Sequence, residues 1–171
     1  MASRRKMKIF ITSDTHFNHK NIIEYACRPF KTIEEMNEEI IKRWNNKIGK
    51  GDIVLHLGDF GMGSKNEIIG LKNRLNGTII LLRGNHDHKA TREAGFLVVK
   101  GSLEIDNLIL SHYPLSKEET PKGFINVHGH IHGKESSNGI NVSMEKTNYE
   151  PLELEKLKED IKFEYDGLSE S

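Results

Sequence analysis

The segment "INVHGHIHGK" (residues 125–134) places His128, His130 and His132 within five positions. Neutral imidazole is the commonest protein ligand for transition metals. On an extended strand, residues i and i+2 share a face. The three rings could therefore line one side of a strand end, unless Gly129 bends the chain. Four other short stretches carry related chemistry. "SDTH" supplies Asp14 and His16, and "GDFG" supplies Asp59. "RGNHD" supplies Arg83, Asn85, His86 and Asp87, and "SHYP" supplies His112. All nine histidines lie in or within three residues of these five stretches, and residues 1–15, 20–55 and 133–171 hold none. Histidines scattered for structural reasons would not avoid so much of the chain.

Each stretch ends a predicted strand. Residues 7–14 and 52–59 are apolar runs that finish in polar residues, and 78–87 repeats the pattern. Residues 96–114 predict short strands with Asp106-Asn107 as a hairpin turn, and "GFINVHGHIHG" and "NGINVS" add two more. Between them lie helices. Residues 20–28 predict a short one, stopped before Pro29. The next is capped by Thr32 with Glu35, carries Ile33, Met36, Ile40, Trp44 and Ile48 at helical spacing, and is ended by the Gly49–Gly51 pair. A third, over 64–77, has the capping box Ser64/Glu67, and residues 151–163 predict a last one starting at Pro151. Strands alternating with helices imply a parallel sheet with function beyond the strands' carboxyl ends.

The 171 residues suit one domain over 7–163, with a flexible leader at 1–6 and a solvated tail at 164–171. Lys+Arg and Asp+Glu both number 25, so overall charge makes no case for a nucleic-acid or membrane partner, although a local basic groove stays compatible. Cys27 is the single cysteine, which excludes an intrachain disulfide and a Cys-rich zinc site and suits a reducing, cytoplasmic setting. No apolar run approaches the roughly 18 residues of a membrane span.

In this order, D-x-H, G-D, G-N-H-D, a lone S-H and G-H-x-H resemble the calcineurin-like metallophosphoesterases, from Asp14 to His132. The resemblance implies an α/β fold of the αββα sandwich type, two facing mixed β-sheets flanked by helices. It also implies two divalent transition metal ions. Asp14, His16 and His132 would hold one, Asn85, His112 and His130 the other, and Asp59 would bridge them. A mixed His/Asp/Asn set suits Mn best, with Fe, Zn, Co or Ni as alternatives. The implied reaction is hydrolysis of a phosphate ester by a metal-bridging hydroxide attacking phosphorus. His86 would stand beside the leaving group as proton donor or phosphate contact. His128 has no ligand role in the family's pattern and is read as orienting a ligand. It also joins Arg83 and His19 as a candidate substrate contact. His56, inside an apolar strand, is read as a satisfied core histidine. Lys20, Arg28, Lys89 and Arg92 are read as ordinary surface charge.

The chain departs from the family at "GDFGMGS". Met62 stands where many relatives carry a second acid, and the arginine that grips phosphate in the protein phosphatases is missing. That makes a small or cyclic-nucleotide-type phosphodiester the favoured substrate over a monoester, and leaves Asp87 and His56 as candidate partners for His86. The rival readings are a non-catalytic metal-binding interaction scaffold of the same fold, and a nuclease subunit.

Overall fold

The computed structural model describes residues 5–168. Its nine strands form two mixed sheets. In the first, β1 (Ile9–Thr12), β2 (Ile53–His56), β3 (Thr78–Leu82) and β4 (Leu97–Val99) run parallel, in the order β4-β3-β2-β1. An antiparallel strand, β9 (Leu152–Glu153), closes the edge beside β1. In the second, β5 (Leu103–Ile105) pairs antiparallel with β6 (Leu108–Ser111) through the expected turn at Asp106. Parallel pairings then add β7 (Ile125–His128) and β8 (Ile140–Asn141).

The period-two alternation of the strands sorts the core into two layers. Phe10, Val54, Ile79 and Leu81 face the helices α2 (Ile33–Lys47) and α3 (Lys65–Arg74). Ile11, Leu55 and Leu82 face Leu108, Leu110 and Val127 of the second sheet. Each such aliphatic side chain contributes about 1.5–3 kcal/mol by leaving water. Helices α2 and α3 start where the sequence predicts. Thr32 Oγ1 accepts the N–H of Glu35, and Ser64 and Glu67 form a complete reciprocal box. Trp44 is fully buried and donates its indole N–H to Asn76 O at 2.9 Å. The short helices α1 (Ile22–Tyr25) and α4 (Lys89–Arg92) sit in the loops after β1 and β3.

The chain's ends depart from expectation. Pro151 does not start a helix. Leu152 and Glu153 pair with Ile11 and Phe10 as β9, and α5 (Leu154–Leu168) begins after them, sending Leu154, Leu157 and Ile161 into the inter-sheet core. The helix also runs five residues beyond position 163, through residues 164–168 of the expected tail, while 169–171 lie outside the described residues. At the other end, residues 1–4 of the expected leader lie outside the described residues, and Arg5 is not loose: it pairs with Asp52 at 2.8 Å.

Candidate metal centre

Within each sheet the parallel strands point one way, so their carboxyl ends deliver their loops together. β1 leads to Asp14 and His16, β2 to Asp59, and β3 to Asn85 and His86. From the second sheet, β6 leads to His112 and β7 to His130 and His132. The loops lock to one another through the backbone. Asp14 N–H donates to Gly58 O, His16 N–H to Asp59 O and Gly129 N–H to His112 O, at 3.0–3.1 Å. Two motif glycines permit this closeness. A Cβ on Gly84 would lie 2.3 Å from Asp59 Oδ1, and one on Gly129 would lie 2.3 Å from Asp14 Oδ2.

The result is two groups of potential ligands, Asp14/His16/His132 and Asp59/His112/His130, the ligand atoms of each within 4.8 Å of one another. The two carboxylates are arranged alike. Asp14 Oδ2 accepts His130 N–H at 2.8 Å and Ser143 Oγ–H at 3.0 Å, leaving Oδ1 without a partner. Asp59 Oδ1 accepts His86 N–H at 2.7 Å, and its Oδ2 lies 3.5 Å from both His16 Nε2 and His112 Nε2. A shared carboxylate oxygen between two imidazoles is what a bridging ligand requires. Five of these residues, Asp14, His16, Asp59, His130 and His132, have φ between 49° and 70°. Non-glycine residues enter that left-handed region at a steric cost and cluster there at functional sites.

The atoms themselves test whether a cation fits. His112 Nδ1–H donates to Leu57 O at 2.8 Å, so in the neutral ring Nε2 is the nitrogen that carries the lone pair. That lone pair faces Asn85 Oδ1 at 2.9 Å and Asp59 Oδ2 at 3.5 Å. Acceptors that converge in this way suit a cation between them. Asp14 Oδ1 and His16 Nε2, both buried and without a hydrogen-bond partner, point to the same conclusion. The residues present therefore fit divalent metal ions.

Burial governs the site's electrostatics. It holds His16 well below the usual imidazole range, reinforced by Arg28 and His132, and so keeps the ring in its neutral, ligating form. Burial likewise lowers His130 and His86. It pushes the Asp59 carboxyl up to about 7; His112 opposes the shift and Asp14 adds to it. His132 is the exception. Burial pulls it down, but the hydrogen bond from Nδ1 to Glu145 Oε1 at 3.1 Å and the Asp14 charge raise it overall.

The other expected residues divide. His86 is half-buried and lies beside the cluster, with its ring 5.3 Å from His16 and 5.6 Å from His19. His19 Nδ1 lies 3.1 Å from His16 Nδ1, which places His19 at the rim. Arg83 is exposed next to Asn85. His128 as a substrate contact is overturned. It is fully buried, Nδ1–H donates to Gly129 O, and Nε2 lies 2.7 Å from Ser136 Oγ. His56 is the satisfied core histidine: Nε2–H donates to Thr15 Oγ1 and Nδ1 accepts from Gly58 N–H. Neither candidate partner hydrogen-bonds the His86 ring: Asp87 spends its carboxylate on the N–H groups of Asp59, Phe60 and Gly84 and acts on His86 only through its charge, which opposes the lowering by burial.

Arg28 is not surface charge. It is buried, donates to Asp14 O and Thr15 O, and pairs with Glu145 Oε1 at 2.8 Å. Arg28 and Glu145 thus orient Asp14 and His132 from behind. Sequence reasoning missed both roles, and no motif spacing marks Glu145.

Similarity to known proteins agrees with this geometry. Residues 7–169 match the calcineurin-like phosphoesterase family model. The uncharacterized protein MJ1445 of Methanocaldococcus jannaschii is 40% identical over 161 residues, covering 86% of this chain and 88% of that one. The Gene 66 protein of Mycobacterium phage L5 is 30% identical, covering 72% and 76%. The crystal structure of AQ665 from Aquifex aeolicus, a protein of unknown function, shares the fold with a TM-score of 0.72 at 24% identity, covering 90% of this chain and 99% of that one. The chain belongs to the calcineurin-like phosphoesterase family and is a hydrolase acting on phosphate esters.

Proposed function

We propose that this protein is a binuclear, manganese-preferring phosphodiesterase of a reducing, cytoplasmic compartment. The observation that carries the reading is Asp59 Oδ2, 3.5 Å from both His16 Nε2 and His112 Nε2. Asp14, His16 and His132 would hold one ion, Asn85, His112 and His130 the other, with Asp59 shared. Two ions so held supply water activation near neutral pH and charge neutralisation at the phosphate. The protein's own groups do the rest. Asp14 and Asp59 are each fixed by the backbone N–H of a residue on the opposite loop, so the cluster is organised before substrate arrives. His86, half-buried at the rim, would protonate the departing oxygen, and His19 would contact the phosphate.

The preference for a diester rests on cations. Arg28 is committed to Asp14 O, Thr15 O and Glu145, and Met62 occupies the position where an acid would begin the phosphatase motif. The motif arginine that would grip the second charge of a monoester is missing from "GDFGMGS", and Arg83 and Lys100 line the groove beside Asn85 instead.

The test compares bis-p-nitrophenyl phosphate with p-nitrophenyl phosphate, using protein loaded with Mn²⁺ and protein stripped of metal. Faster turnover of the diester, lost on stripping and restored by Mn²⁺, is expected. Faster turnover of the monoester would reverse the substrate class, and metal-independent turnover would remove the binuclear mechanism.

A further inference from the structure

A groove of about 430 Å³ opens beside the candidate metal centre, lined by Arg83, Gly84, Asn85, Lys100, Gly101 and Tyr113. Asn85 belongs to both the groove and the ligand cluster, so the two are continuous. Tyr113 lines the groove as well. Its ring packs edge-on against His130 at 4.5 Å and His112 at 4.9 Å, yet the residue stays 50% exposed. Ser111 Oγ–H donates to Tyr113 O at 2.6 Å and fixes its backbone. Arg83 N–H donates to Val99 O at 3.0 Å, which brings the loop after β3 against the end of β4 and sets Lys100 near Arg83. Both cations are exposed, and neither engages a carboxylate among the described residues.

A small phosphate ester occupying the metal ligands would use neither the ring nor these two cations. A rigid aromatic ring half open to solvent, next to paired cations and a phosphate-cleaving centre, matches a polynucleotide strand. Bases stack on such rings regardless of sequence, and cations track the backbone.

We propose that this groove is a subsite for single-stranded nucleic acid. Tyr113 stacks a base adjoining the scissile phosphate, and Arg83 and Lys100 bind the next phosphate along. The inference rests on the phosphodiesterase reading and narrows its substrate to an oligonucleotide strand. It is compatible with a neutral chain because the positive charge is local.

The test measures fluorescence-anisotropy binding of two end-labelled oligomers to the Mn²⁺-loaded protein. One is a short single-stranded thymidine oligonucleotide, and the other is an abasic oligomer with the same backbone. Tyr113→Leu should weaken the thymidine oligomer about tenfold and the abasic one by less than about twofold, because stacking needs a base. Tyr113→Phe, which keeps the ring, should bind both like wild type. Arg83→Ala and Lys100→Ala should weaken both oligomers alike and flatten the salt dependence, by about 0.7 in the log–log slope per lost phosphate contact. Equal losses on both oligomers in Tyr113→Leu would show that the ring only supports His112 and His130 and would overturn the subsite. An unchanged salt slope in both cation variants would do the same. Hydrolysis of bis-p-nitrophenyl phosphate by the same preparations separates the two readings. If it fails while the binding pattern holds, the catalytic reading falls and the subsite stands.

Discussion

Asp87 holds Asp59 in place: its Oδ2 accepts the backbone N–H of Asp59 at 2.8 Å. The same oxygen accepts Gly84 N–H at 2.8 Å, and Oδ1 accepts Phe60 N–H at 3.0 Å. One buried carboxylate thus ties the loop after β2 to the loop after β3. Asp87→Ala would leave three buried donors unpaired. The expected cost is about 3–5 kcal/mol of unfolding free energy, against about 1–3 kcal/mol for a single unsatisfied donor. Urea denaturation of the metal-free protein measures it. A loss below about 1 kcal/mol would show that the loops hold without Asp87.

Metal stoichiometry follows from Asp59. Wild type reconstituted with Mn²⁺ should approach two ions per chain by elemental analysis. Asp59→Asn should hold fewer, because Asp59 Oδ2 lies 3.5 Å from a histidine of each group, His16 and His112. A wild-type plateau at one ion, unchanged in Asp59→Asn, would eliminate the shared carboxylate.

His86→Ala should keep its metals, since the hydrogen bond that reaches Asp59 comes from the backbone of His86 rather than its ring. Loss of a general acid costs about 10²–10⁴ in rate. The deficit in kcat/KM should shrink for nitrophenolate, which departs with little help from a proton, and be full for an alkyl alcohol. A deficit of one size across a leaving-group series would make His86 a phosphate contact instead.

Glu145→Gln keeps an acceptor for His132 Nδ1 but removes the charge that raises its basicity. Affinity for Mn²⁺ should fall about 10–100-fold, as for other groups that orient a ligand from behind. Much of the turnover should return at saturating Mn²⁺. Unchanged affinity in a titration would make Glu145 a partner of Arg28 only.

His56 gives the fold an acid limit. Burial, assisted by His112, lowers it to about 3 when folded, against about 6.5 in an unfolded chain. The unfolded state therefore binds the proton first. The stability contributed by neutral His56 is complete above pH 6.5 and is lost as pH falls from there toward 3, by about 1.4 kcal/mol per unit. Comparing His56→Gln with wild type isolates this contribution, and the variant should show a flatter stability profile between pH 6.5 and 5. Parallel profiles would assign the acid limit to other groups.

Much of this architecture could be read from the sequence because each ligand loop follows an apolar run that ends abruptly in polar residues, as β1 does at Ser13-Asp14. The starts of α2 and α3 were equally plain, since Thr32, Ser64 and Glu67 satisfy N–H groups only a few residues away. What escaped was non-local. Leu152 and Glu153 are too few to show a period, and only the open edge of β1 makes them a strand. Glu145 acts on His132 across 13 residues, and Arg28 acts on Glu145 across 117, so no spacing rule links them. His128 as a substrate contact failed for a related reason. Strand alternation holds to the end of β7, but the positive φ of His130 and His132 turns the chain away, so the three rings do not share a face.

Those left-handed backbones bear on anyone wishing to transplant this centre into a new scaffold. Side-chain grafting onto helices and strands fixes positions well, yet Asp14, His16, Asp59, His130 and His132 all have φ between 49° and 70°, which neither element supplies. The portable unit is therefore the turns, carried with Gly84 and Gly129 and with the Asp87 and Glu145 carboxylates that brace them. A copy that kept only the candidate ligand side chains would scatter them.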